Sequence, residues 1–180
     1  MHSRNAELIQ LNGGWLRDAL QLAGRLDDAA WSDAPSALPG QRAGSHIRHI
    51  LDFHDCLLDG LATGRIDYDA RRRDDRIAAD RRYAAEKIHV LIRAFDNDAR
   101  LRDDRNLMVK AEDGEAWLPS TLSRELQALS SQTIHHFALI TVILRLHGIH
   151  LAGPPGARVW KIHAGARWRM LSLLMLVSSL

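Results

Sequence analysis

A chain of 180 residues fits one domain with a core of ordinary size, and its 46% apolar and 26% charged residues belong to a globular protein rather than a disordered one. The net charge is only +2, and Arg alternates with Asp in "DARRRDDRIAADRR" (69–82). That mixture excludes the unneutralised basic face that nucleic-acid binding requires and reads as a self-paired, solvated surface.

The opening "MHSRNAELIQ" has no apolar run of the secretory-signal kind, so a cytoplasmic protein is expected. Apolar residues at 8, 11, 15–16, 19–20, 22–23 and 26 predict a helix from Ala6 to Leu26. The turn-rich connection "SDAPSALPGQRAGS" (32–45) follows, with Ser45 a candidate N-cap for a second helix, "HIRHILDFHDCLLDGLATG", that Gly64 would stop. Cys56, the only cysteine, lies in that apolar pattern, so no internal disulfide forms and the thiol reads as a small buried hydrophobe. Residues 65–79 are polar and read as irregular at first. A third helix is expected from about Asp80 to Asn97, with Ala84, Ile88, Leu91, Ile92 and Phe95 facing inward.

Two short alternating runs in "LMVKAEDGEAWLP" (107–119) flank Asp113-Gly114, which predicts a small β-hairpin with a two-residue turn. A long helix then starts near Ser120. Leu122, Leu126, Leu129, Thr133, His136, Ile140, Ile143 and His147 recur at steps of three and four, and Gly148 ends it. Four helices of this length predict an all-α four-helix bundle over residues 1–150, with long crossover connections. Residues 151–180 form an atypical tail. Its apolar end, "MLSLLMLVSSL" (170–180), is about half the length that crosses a bilayer, so no membrane span is expected. That run is either a short helix packed on the bundle or an exposed end that promotes association.

The histidines carry the chemistry. His46, His49 and His54 fall on the second helix, and His135 and His136 on the last. His46 and His49 lie about 60° apart around their helix, while Gln132 and His136 lie about 40° apart on one face. Imidazoles from two facing helices can meet in a bundle core, and neutral His is the commonest ligand for Zn, Ni, Cu or Fe. Buried histidines also serve simply as hydrogen-bonded core residues, and nothing here has the specificity of HExxH or paired CxxC.

The stretches "GSHIRHILDFHDCLLDGLATGRIDYDARRRD" (44–74) and "STLSRELQALSSQTIHHFALI" (120–140) resemble the DinB-like (damage-inducible) family of metalloenzymes, a resemblance that runs through most of residues 5–150. It implies a four-helix bundle holding a divalent metal, nickel or zinc, on three histidines, with thiol-dependent S-transferases and hydrolases among the relatives. One ligand falls on His49 and another on His136. The remaining ligand position is Gln132, where relatives carry histidine. His135 is assigned to supporting or packing work, with substitution for residue 132 as the other option. A neutral amide oxygen is harder than imidazole, so a His49/Gln132/His136 site would hold Ni or Zn weakly or not at all. Asp52 would orient an imidazole or pair with Arg48 at the surface, and His46 would line the pocket mouth or sit in solvent. The tail does not match the family, which a shifted reading frame or a lineage-specific extension would each produce.

Two functions follow. One is a divalent-metal-dependent hydrolase or thiol transferase acting on a small-molecule substrate, with the Arg71-Arg72-Arg73 run attracting an anionic substrate unless Asp67, Asp69, Asp74 and Asp75 neutralise it. The other is a metal-free, non-catalytic bundle that acts as a binding or oligomerisation module, such as a homodimer.

Overall fold

The computed structural model describes residues 4–112 and 114–149. The first helix, α1 (Arg4–Arg25), opens with Glu7 in its first turn and closes with Arg25 in its last, each complementing the helix dipole. It buries Trp15, Leu16, Ala19, Leu22 and Ala23. A short α2 (Asp28–Ser32) is capped by Asp27, whose side chain accepts from the Ala30 amide at 2.8 Å. It drives Trp31 to full burial, where the indole donates to the Ile77 carbonyl at 3.1 Å.

The second long helix, α3 (Ala43–Gly60), starts earlier than the sequence suggests. Arg42 occupies the N-cap without a side-chain cap, and Ser45 lies inside the first turn. The early start is set by packing: Gly44 lies so close to Trp31 and the Ala78 carbonyl that a β-carbon there would collide with both. Gly64, at φ +71°, turns the chain out of the helix into β1 (Arg65–Ile66). Then come α4 (Asp75–Ala79) and α5 (Arg81–Asn97). Asp80 caps α5 by accepting from the amides of Arg82 and Tyr83, both at 3.0 Å. The inward residues of α5 are Ala84, Ile88, Leu91 and Phe95, while Ile92 is only partly buried.

The expected hairpin forms, as β2 (Asn106–Lys110) and β3 (Trp117–Thr121). Lys110 pairs with Trp117 and the Ala111 amide donates to the Ala116 carbonyl, while residue 113 of the expected turn lies outside the described residues. The alternation also hides a third strand, because β1 joins β2 in parallel, with Arg65 opposite Met108. Two residues are too short for any periodicity to show. Pro119 and Ser120, expected to introduce the last helix, belong to β3. There the missing proline N–H is tolerated because β3 is an edge strand. The last helix, α6 (Leu122–Leu146), is capped by Thr121 Oγ1, which accepts from Arg124 N at 3.3 Å, and it is closed by Gly148 at φ +74°.

The described chain is therefore mostly helical, with six α-helices and a small three-stranded sheet. The mostly helical architecture is as expected, and the sheet has one strand more than the expected hairpin. Helix α1 packs on α5 and α6, and α3 packs on α6, α4 and α5. Among the described residues no helix is long and apolar enough to cross a membrane. The expectations for the tail, residues 151–180, lie outside the described residues.

Candidate histidine site

Helices α3 and α6 run antiparallel at the candidate site: as the number rises from His46 to His49, the facing residue falls from His136 to Gln132. Gln132 Nε2 lies 2.8 Å from His49 Nε2, and His46 Nδ1 lies 2.9 Å from His136 Nδ1. The His49 and His136 rings approach to 4.4 Å between centroids. The three residues singled out from the sequence are therefore neighbours, although 83 positions separate His49 from Gln132.

The hydrogen bonds determine which nitrogens carry protons. Gln41 Oε1 can only accept, and it lies 3.1 Å from His46 Nε2, so that nitrogen is the protonated one. His46 is neutral, which leaves its Nδ1 as an acceptor for the Nδ1–H of His136. His136 Nε2 then carries a bare lone pair. On the other side, the amide of Gln132 donates to His49 Nε2, which is likewise unprotonated. Burial holds these rings neutral. His49 is pushed down to about 4, by desolvation first and then by the charges of Arg71 and Arg48. His136 is pushed down to about 3 by desolvation and by its histidine neighbours. His46 is lowered for the same reasons, desolvation first and then His135.

His46 is therefore no solvated residue at a pocket mouth. It is 9% exposed and sits in the hydrogen-bonded centre, orienting His136 as an outer partner orients a ligand. Its spacing of three from His49 was the available signal. His135 lies on the exposed side of α6, edge-on to His136 at 5.5 Å, and does not take the place of residue 132. Asp52 is not at the surface. It is 6% exposed, with Arg48 Nε 4.0 Å away and the Asp74 amide donating to it, and burial raises it to about 6. It touches no imidazole of the site. His54 lies apart, fully buried, its Nδ1 donating to the Ile50 carbonyl at 2.8 Å.

Three further residues border the site without having been singled out as its neighbours. Phe53 stacks at 4.7 Å on His49, Tyr68 stacks at 5.0 Å on Phe53, and the Arg71 guanidinium lies 4.6 Å over Phe53. Cys56 donates to the Asp67 carbonyl, and burial pushes its thiol up to about 11, so it stays protonated.

The donors suit a divalent ion in kind. Bare Nε2 atoms on His49 and His136 are the form of imidazole that binds metal, and rotating the Gln132 amide exchanges its N–H for an oxygen. Ligands about 2.1 Å from one tetrahedral ion stand about 3.4 Å apart, so the His49–Gln132 pair would open by roughly half an ångström. In number the set falls short, because among the described residues no three His, Cys, Asp or Glu side chains are grouped to hold a metal. No family model matches the chain, and neither curated proteins nor solved structures yield a match.

Proposed function

We propose that this chain is a DinB-like four-helix-bundle protein, built on α1, α3, α5 and α6, that binds a divalent metal through His49, His136 and the amide oxygen of Gln132 and acts as a metal-dependent hydrolase or thiol transferase. The observation carrying this reading is that these three side chains are neighbours, the Gln132 amide on His49 Nε2 at 2.8 Å and the His136 ring 4.4 Å from that of His49. A bound divalent ion would lower the pKa of a water or thiol held there and generate a nucleophile near neutral pH. The protein's own part is orientation. Gln41 fixes His46, His46 fixes the tautomer of His136, and Phe53 supports the His49 ring.

Titration of untagged protein with zinc and with nickel tests the reading. The wild type is expected to bind one equivalent weakly, since an amide replaces an imidazole. Gln132→His should tighten binding by roughly ten-fold or more, about 1.4 kcal/mol. His49→Ala and His136→Ala should each remove it. A Gln132→His protein that binds neither ion would defeat the proposal.

A second reading is favoured by the two sets of hydrogen bonds, Gln41 to His46 to His136 and Gln132 to His49, which form without an ion. On that reading the chain is a metal-free binding or oligomerisation module. Leu139, Val142 and Leu146 give α6 an exposed apolar row through which copies would associate. Sedimentation of the wild type and of Val142→Asp distinguishes a dimer dependent on this row from a monomer.

A further inference from the structure

We propose that the substrate of the histidine site carries a carboxylate and that Arg71 is its anchor, an inference that rests on His49 and His136 marking the reactive end. In the sequence, Arg71, Arg72 and Arg73 look neutralised by the aspartates around them. The fold separates the three. Arg72 reaches Asp55 and Asp59, at 3.4 and 2.9 Å. Asp67 is occupied by Lys110 and by the amides of Asp69 and Ala70. Asp74 accepts from the Tyr83 hydroxyl and the Arg76 amide, and Asp75 pairs with Arg48.

Arg71 is left over. Among the described residues no carboxylate lies within 4.0 Å of its guanidinium. Its Nη1 donates to the Tyr68 carbonyl at 2.6 Å, while its Nε is buried and has no partner. A buried guanidinium N–H without an acceptor is costly, so a ligand that supplies one is favoured there. The guanidinium rests on Phe53, the ring against which His49 stacks, so the anchor and the reactive end share one wall. The buried acid Asp52 is approached by Arg48. A planar fork with free donors matches a planar carboxylate better than a tetrahedral anion.

Binding of mercaptoacetate and of the uncharged thiol 2-mercaptoethanol to the full chain tests the proposal, with and without zinc, and with acetate and inorganic phosphate as thiol-free probes. Mercaptoacetate is expected to bind roughly ten-fold tighter than 2-mercaptoethanol. Arg71→Gln should erase the preference and Arg71→Lys should retain part of it, with thermal unfolding confirming that both variants fold. A preference unchanged in Arg71→Gln, or phosphate displacing mercaptoacetate more effectively than acetate does, overturns the assignment. The two proposals fail separately. Zinc binding without an Arg71-dependent preference defeats the anchor alone, whereas Arg71-dependent acetate binding without zinc binding defeats the metal site alone.

Discussion

At His54 the fold places an imidazole at full burial with Nδ1 bonded to Ile50 and Nε2 without a partner, and the ring is pushed down to about 4 from 6.5 by desolvation. His49 and His136 are displaced in the same direction. In each case the unfolded chain takes up a proton near pH 6.5 while the folded chain does so only near pH 3–4. Stability is therefore full above pH 6.5 and declines as the pH falls through that window. Asp52 acts oppositely: raised from 3.8 to about 6, it favours the folded state on the acid side and offsets part of the loss. His54, fully enclosed, contributes on the order of 3 kcal/mol. Urea midpoints should hold from pH 7.5 to about 6.5 and fall from there to pH 4.5, and His54→Leu should flatten the profile. A wild-type midpoint that rises on acidification would contradict the burial of these rings.

Among the elements, the start of α3 depends on one contact. A β-carbon on Gly44 would meet Trp31 and the Ala78 carbonyl, so Gly44→Ala must push α3 off both α2 and α4. Despite the higher helix propensity of alanine, the substitution should destabilise by about 2 kcal/mol, visible as a lowered melting temperature. This contact also explains why the sequence misleads about the helix start. Ser45 is the residue with capping chemistry, but the boundary is decided by a tryptophan and a carbonyl that are distant in the chain. Elsewhere periodicity serves well. Most of the inward rows of α1, α5 and α6 read from their apolar spacing, with Ile92, His136 and His147 only partly buried, and the hairpin reads from its alternation. The two residues of β1 carry no pattern, and their pairing with β2 is a product of the tertiary fold. The site divides in the same way. His49, Gln132 and His136 are singled out by the resemblance of their stretches, with helical spacing placing the last two on one face, whereas the roles of His46 and Arg71 depend on which neighbours the other polar groups have already taken.

Across the whole molecule, Glu125 ties the parts together. It is 1% exposed and accepts from Tyr68 in the connection after α3, from Ser120 on β3 and from Arg124 on its own helix, at 3.1, 2.5 and 2.8 Å. These bonds link the α3–α4 connection and the sheet to α6, and Tyr68 carries the link on to Phe53 beside His49. Removing the carboxylate leaves the tyrosine hydroxyl and the serine hydroxyl without their acceptor. Glu125→Ala should cost about 3 kcal/mol in chemical denaturation. It should also disturb the histidine site from a distance, seen as weaker zinc binding in the Gln132→His background.

The bond from His46 to Gln41 has a spectroscopic consequence. Because that amide directs protons along the row, His136 is held as the less common Nδ1–H form, with a pyridine-type nitrogen at Nε2. In a ¹⁵N spectrum of the metal-free protein, that nitrogen should resonate far downfield of its pyrrole-type partner. Gln41→Ala should collapse the separation toward an exchange average. An exposed side chain in the loop before α3 thus sets the electronic character of a ring on α6, and a substitution in that loop can be followed by watching one nitrogen nearly a hundred residues away.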